Sequence, residues 1–106
     1  MIPEGFEFLT PWTVLDAERA EALTARLRSE LSAGHVLHGM KFRVLASRTD
    51  RDEVLCEVDR SMQLAVVHMT WHAEANPIWP RTQLFRDWAH WQKEDMIPSH
   101  REFENW

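Results

Sequence analysis

An apolar stripe with helical spacing runs through residues 14 to 33. Its members recur at intervals of three and four residues: Ala20, Leu23, Leu27 and Leu31. Charged residues such as Glu30 fall off this stripe, so we expect them to face water. Thr13 or Asp16 can cap the start of the segment, and Gly34 can end it in a left-handed conformation. The pattern predicts a first helix over 14–33.

The hydrophobic period changes from helical to two after this segment. Apolar side chains alternate over 40–47 and again over 53–58, which predicts two strands, and 63–71 predicts a third. A hairpin between the first two strands would set Leu45 opposite Leu55 on its outer face. FEFLT at residues 6 to 10 is a candidate for a fourth, short strand. These strands are expected to follow one another as an antiparallel meander.

The third predicted strand, QLAVVHMTW, is apolar on both faces. Leu64 and Val66 lie on one face, and apolar residues also occupy the other: Ala65, Val67, Met69 and Trp71. A strand of this kind usually has cover on both faces. The pattern therefore predicts that this strand is the innermost one.

The helical period returns from Thr82, after the turn PIWP at residues 77 to 80. The stripe consists of Leu84, Phe85, Trp88 and Trp91. This second helix should end before Pro98, and SHRE at 99–102 has the form of a capping box for a last helical turn. The chain is then a single α+β domain over 1–106, of order α-β-β-β-α. Its antiparallel sheet has three or four strands, with both helices packed on one face.

Charge and cysteine content narrow the possible functions. Twelve basic and seventeen acidic residues give a formal net charge of −5, which makes nucleic acid an improbable partner and suits a basic one. Cys56 is the only cysteine, so no internal disulfide can form, and it falls on the inward face of a strand. We find no signal peptide and no apolar run long enough to cross a bilayer, so a cytoplasmic location without membrane contact is expected.

Three histidines are the candidate catalytic residues. His68 and His72 share a face of the third strand, and His100 or a carboxylate is a candidate to complete a site with them. Four residues of strand separate two Cα atoms by about 13 Å, too far for both side chains to bind one ion without a bulge. The spacings match no zinc motif and no nucleotide-binding loop is present. We therefore expect no metal and no cofactor.

Six tryptophans in 106 residues are an unusual number. Trp88 and Trp91 lie on the predicted helix stripe and should be core residues. Trp79, between two prolines, and Trp106, at the terminus, are harder to bury, and exposed tryptophans often anchor interfaces. With the neighbouring Arg81 they form the candidate partner-binding set.

Three segments carry a resemblance to known proteins. They are AVVHMTW, PIWP with the following Thr82 and Phe85, and the tail HREF. The chain resembles a group of small bacterial proteins of unassigned function in which VVHLTW, PxWP and a terminal DHxEF recur. The match covers mainly residues 54 to 103, and Ser99 stands where the group has an aspartate. The resemblance implies a shared fold and no activity.

Two functions of different classes fit these observations. The leading hypothesis is a small non-catalytic protein-interaction module, antitoxin-like or immunity-like, that binds a basic protein. The alternative is a small metal-dependent or histidine-dependent enzyme with His68, His72 and His100 at the end of the third strand, which requires those side chains to converge. Self-association through the sheet or a tryptophan-rich surface is compatible with either.

Overall fold

The computed structural model describes residues 2–58 and 61–105, and five of its strands form one antiparallel sheet. The strands are β1 (Trp12–Val14), β2 (Phe42–Arg48), β3 (Glu53–Val58), β4 (Leu64–His68) and β5 (Thr82–Phe85). Their spatial order is their chain order, β1-β2-β3-β4-β5. Helix α1 (Ala17–Glu30) connects β1 to β2, with Asp16 accepting a hydrogen bond from the Arg19 N–H as its N-cap.

The chain ends in a helical segment that follows β5. It comprises α2 (Trp88–Trp91), a π-helical turn (Gln92–Met96) and α3 (Ile97–Glu104), which we call together the C-terminal helical segment. Asp87 caps its start through the His90 N–H.

Each face of the sheet carries its own hydrophobic cluster. On one face, the α1 face, Leu27 of α1 packs on side chains of the central strands: Val44, Val54, Cys56, Val58, Ala65 and Val67. On the other, the aromatic face, Trp91 and Met96 of the C-terminal helical segment pack on Trp12, Ala46, Leu55, Leu64, Val66 and Phe85. The two clusters account for the apolar residues on both faces of β4.

The α+β class and the antiparallel meander are confirmed, but the strand count and the element order are wrong. Over residues 2–58 and 61–105 the sheet has five strands, since two short edge strands flank the predicted three, and the order is β-α-β-β-β-β followed by the C-terminal helical segment. FEFLT is not a strand; Phe6 and Phe8 pack against the aromatic cluster instead, and β1 lies just after them. The helices also cover opposite faces rather than one.

The second helix was predicted to begin at Thr82 and to end before Pro98, and both predicted limits lie too early in the chain. Residues 82–85 form β5, which pairs with β4 in the register Leu64↔Phe85. Pro98 does not end the helix either. Since proline has no N–H and its ring clashes with the carbonyl four residues earlier, an ordinary α-helical turn is disfavoured there, and the wider π-turn, with the Ile97 N–H bonded to the Gln92 carbonyl, precedes it. Ser99 is accordingly inside α3 and makes no capping box.

A β-bulge in β2 changes the expected strand pairing. The register passes from Val44↔Cys56 to Ala46↔Leu55, so Leu45 is the additional residue. The expected pair of Leu45 with Leu55 is therefore wrong. The bulge moves the end of β2 onto the aromatic face, which places Arg48 beside the C-terminal helical segment.

Candidate functional site

A row of charged side chains crosses the aromatic face at one end of the sheet. Trp12 pairs with Arg48, and Glu53 pairs with His68. Continuing the β2–β3 register by one residue sets Arg48 opposite Glu53. The His68 N–H donates to the Arg81 carbonyl at 2.9 Å, which places Arg81 next in line. We call Arg48, Glu53, His68 and Arg81 the charged row.

Side-chain contacts connect the first three members of the charged row. Arg48 Nη1 lies 3.5 Å from Glu53 Oε1, and Glu53 Oε2 lies 3.8 Å from His68 Nδ1. The Arg48 side chain is only 6% exposed, whereas that of His68 is 49% exposed. The row therefore runs from a buried cation to an imidazole at the surface.

Arg48 is held in its charged form by its neighbours. Burial alone would lower the pKa of its guanidinium, but the hydrogen bonds and the charge of Asp50 more than offset this and the pKa is raised. Nη2 and Nε of Arg48 lie 2.8 Å from the two carboxylate oxygens of Asp50, and this bonding lowers the pKa of Asp50. Arg48 is thus a permanent positive charge at the buried end of the row.

Helix α3 contacts the same arginine and connects it to the π-helical turn. Arg48 Nη1 donates to Ser99 Oγ at 3.3 Å, and Ser99 Oγ donates to Asp95 Oδ1 at 3.4 Å. Trp91 Nε1 donates to Asp95 Oδ2 at 2.8 Å. Burial raises the pKa of Asp95, and the nearby charge of Glu53 raises it further. The C-terminal helical segment and the charged row therefore form one connected polar network.

The exposed end of the charged row opens into a groove. The groove has a volume of about 550 Å³, and its walls include Val66, Ile78 and Gln83 beside His68 and Arg81. The guanidinium of Arg81 lies over the ring of Trp79, 5.2 Å from its centroid. An imidazole, a guanidinium and an apolar wall thus meet at one surface.

A buried carboxylate fixes the loop between β4 and β5. Glu30, the last residue of α1, is fully buried. Its Oε1 accepts hydrogen bonds from the N–H and the hydroxyl of Thr70, at 2.9 and 3.0 Å, and its Oε2 accepts one from the Trp71 N–H at 3.0 Å. The expectation that Glu30 faces water is therefore wrong, because these three donors replace the water it would lose.

Trp71 is held in an unusual backbone conformation by this carboxylate. Its φ of +66° lies in the left-handed region, which bulky residues rarely adopt. Its side chain is 44% exposed. A strained residue of this kind costs on the order of 1 to 3 kcal/mol and persists only where surrounding contacts impose it.

The three candidate histidines are not brought together. His68 contacts Glu53. His72 lies in the β4–β5 loop with Nε2 3.6 Å from Glu74 Oε2, and His100 Nδ1 donates to the Thr10 carbonyl at 2.7 Å. Their described contacts share no residue, and within residues 2–58 and 61–105 no group of three His, Cys, Asp or Glu side chains is arranged to hold a metal ion.

Two of the three candidate partner-binding residues lie in the part of the chain that the structure describes. Trp79 and Arg81 stack on each other beside the groove, with Trp79 half-buried. Trp106 lies outside the described residues. Cys56 is buried as expected, and burial raises the pKa of its thiol, so it is not available as a nucleophile.

Sequence reasoning missed Glu30, Arg48 and Glu53. Each owes its position to a partner distant in the chain, and no local pattern records that pairing: Glu30 meets Thr70, Arg48 meets Ser99, and Glu53 meets His68. The bulge in β2 also shifts the face on which Arg48 lies.

Comparison with family models, with curated proteins and with solved structures found no match. No helix in the described part of the chain is both long and apolar enough to span a membrane. The inference of function therefore starts from the groove, the charged row and the β4–β5 loop.

Proposed function

We propose that this chain is a small non-catalytic binding module whose contact surface is the loop between β4 and β5. The presentation of Trp71 carries this proposal. The loop shows an aromatic ring to solvent while its backbone is fixed from below by Glu30. A large ring that is already ordered loses little conformational entropy when a partner covers it.

Two further side chains of the same loop are available to a partner. Ile78 is 67% exposed, and Trp79 stacks under Arg81. Tryptophan and arginine are the residue types that most often carry binding energy at protein interfaces. The occupant we propose is another protein.

The proposed basic character of this partner rests on the net charge of −5. The groove next to Trp79 adds no further negative charge to support this, because Arg81 and His68 line it together with the single carboxylate Glu53. If the partner is basic, as for an antitoxin-like or immunity-like protein, its charge should act mainly on the rate of association. Affinity should then depend on Trp71 and only weakly on salt.

Purification from the natural host with native mass spectrometry tests the proposal. Wild-type protein, Trp71→Ala and Met62→Ala should be compared, since Met62 is 73% exposed in the turn at the other end of β4. We expect one stoichiometric partner on wild type and on Met62→Ala, with binding to Trp71→Ala at least about tenfold weaker, equivalent to 1.4 kcal/mol.

The purified partner should then be titrated into all three proteins by calorimetry. Equal affinity for wild type and Trp71→Ala would contradict the proposed surface. A protein that returns from its host only as a bare chain would contradict the binding function itself.

A second candidate function is acid–base catalysis at His68. The observation that favours it is the contact of His68 Nδ1 with Glu53, because a carboxylate beside one ring nitrogen orients an imidazole for proton transfer at the other. This candidate corresponds to the histidine-dependent enzyme considered from the sequence, with one histidine instead of three. Screening for hydrolysis and isomerisation with wild type and His68→Gln would support it only if turnover is present and lost in the variant.

A further inference from the structure

We propose that the groove over His68 and Arg81 binds a ligand that carries one carboxylate next to an aliphatic group. The proposal uses the exposed end of the charged row and not Trp71. It shares Ile78 and Arg81 with the proposed contact surface but does not depend on Trp71, which carries the proposed function, so the two can fail separately.

Arg81 supplies the charge that such a ligand needs. Its guanidinium stacks on the Trp79 ring, and within residues 2–58 and 61–105 no carboxylate lies within ion-pair distance of it. A stacked guanidinium still has N–H donors along its edge, in the planar arrangement that matches both oxygens of a carboxylate. Arg81 is thus an oriented cation at a groove, and no carboxylate of the described residues pairs with it.

The neighbouring groups set the charge of the ligand. Glu53 lies in the same groove, one strand beyond His68, and it is already shared between Arg48 and His68. Its negative charge disfavours a dianion such as phosphate more than a single carboxylate, because repulsion grows with the charge of the ligand. The groove accordingly favours a monoanion.

The apolar wall sets the rest of the ligand. Val66 and Ile78 line the groove together with His68, and 67% of the surface of Ile78 is exposed. An alkyl group placed here would remove part of this apolar surface from water, at about 25 cal/mol per Å². Gln83, on the same wall, offers an amide that can bond a peptide group.

Two sources present this chemistry. One is a free aliphatic acid, and the other is the terminal carboxylate of a peptide chain that ends in an aliphatic residue. Calorimetry with N-acetyl-leucine and with a hexapeptide ending in leucine separates them. The same two compounds as C-terminal amides remove only the charge, and inorganic phosphate tests a dianion.

We expect both acids or the peptide acid alone to bind, and each amide to bind at least about tenfold more weakly than its acid, the loss typical of a charged hydrogen bond. Comparable affinity for the two acids would identify a free acid as sufficient, and tighter binding of the peptide would identify a chain end. Arg81→Gln should remove this binding, whereas Arg86→Gln, an exposed arginine just after β5, should not.

Any of three results would overturn the proposal: no binding of either acid, amides that bind as well as acids, or phosphate that binds more tightly than the acids. The ring signals of His68, followed by NMR, give a second measurement and should move with the acids and not with the amides. Trp71→Ala should leave carboxylate binding unchanged, which separates this site from the proposed function.

Discussion

Glu30 joins the end of α1 to the first residues of the β4–β5 loop, forty positions away. A carboxylate suits this place because both of its oxygens accept, and the loop presents three donors to it. An amide of the same shape offers one acceptor and would point an N–H group at another N–H. The Glu30 side chain therefore determines the backbone conformation of Trp71 and also contributes to the stability of the fold.

We predict that Glu30→Gln lowers the free energy of unfolding by about 1 to 3 kcal/mol, since at least one buried donor loses its acceptor. Urea denaturation measures this change. Hydrogen exchange at the Trp71 amide should also become faster. Glu21→Gln, an exposed glutamate on the same helix, is the control. An equal effect of the two substitutions would show that Glu30 does not fix the loop.

Asp95 leads to a prediction on pH. Because its pKa is raised, chiefly by burial, the folded protein holds this proton more tightly than the unfolded chain. Its contribution to the free energy of unfolding therefore falls as the pH rises above 3.8, until the carboxyl is ionised in both states. Asp95→Asn lacks this titration, so its stability relative to wild type should rise over that window.

Asp50→Asn is the control of opposite sign. The pKa of Asp50 is lowered by its hydrogen bond to Arg48, so its contribution is present above the ordinary pKa of 3.8 and is lost as the pH falls. Relative to wild type, Asp50→Asn should become less stable as the pH rises toward 3.8, with little further change above it. Thermal unfolding of the three proteins from pH 3 to pH 7 measures both trends, and parallel curves would refute the account of both carboxylates.

Among the elements, β5 shows where sequence reasoning fails. Helix α1 and strands β2 to β4 could be predicted because long periodic patterns specify them. TQLF is four residues long, and its Leu84 and Phe85 continue into Trp88 and Trp91 at spacings that also suit a helix. The pairing with β4 makes this segment a strand. That pairing is a tertiary contact, which the hydrophobic periodicity of the sequence does not report.

Proline substitution separates these two interpretations of residues 82–85. In the β4–β5 register the His68 N–H bonds to the Arg81 carbonyl, so by alternation the Gln83 N–H faces β4 and the Leu84 N–H faces the free edge. Gln83→Pro should therefore cost about 2 kcal/mol more than Leu84→Pro in urea denaturation. In the first turn of a helix, both prolines would be tolerated.

The predicted placement of the helices illustrates a related limit. Apolar residues on both faces of β4 predicted that both faces are covered, which was confirmed, whereas the prediction that both helices pack on one face was wrong. The charged row is a harder case. It requires the register of four strands and a bulge, and a one-residue shift in any of these strands would send that strand's member of the row to the other face. Of this site, only His68 and Arg81 could be named from the sequence.

At the scale of the whole molecule, the sheet separates two cores. Leu27 belongs to the α1 face and Met96 to the aromatic face, and both are fully buried. We predict that Leu27→Ala and Met96→Ala each cost about 2 to 5 kcal/mol and that their effects add within about 0.5 kcal/mol.

Leu27→Ala combined with Val44→Ala provides the comparison, since both residues lie in the α1-face cluster. There we expect a departure from additivity of about 0.5 kcal/mol or more. Double-mutant cycles from urea denaturation measure both pairs. Strong coupling between Leu27 and Met96 would mean that the sheet transmits packing changes from one core to the other.

The two cores also differ in when a growing chain can complete them. Among the described residues, every buried member of the α1-face cluster has been synthesised by Met69, so that core can close while the chain is still being made. The aromatic core joins Trp12 to Trp91 and Met96 and must wait for the last helix. Until then the aromatic face of the sheet is exposed to solvent. A nascent chain of this protein therefore presents a sheet with one face covered and the other exposed to solvent. This is the species that a chaperone would meet.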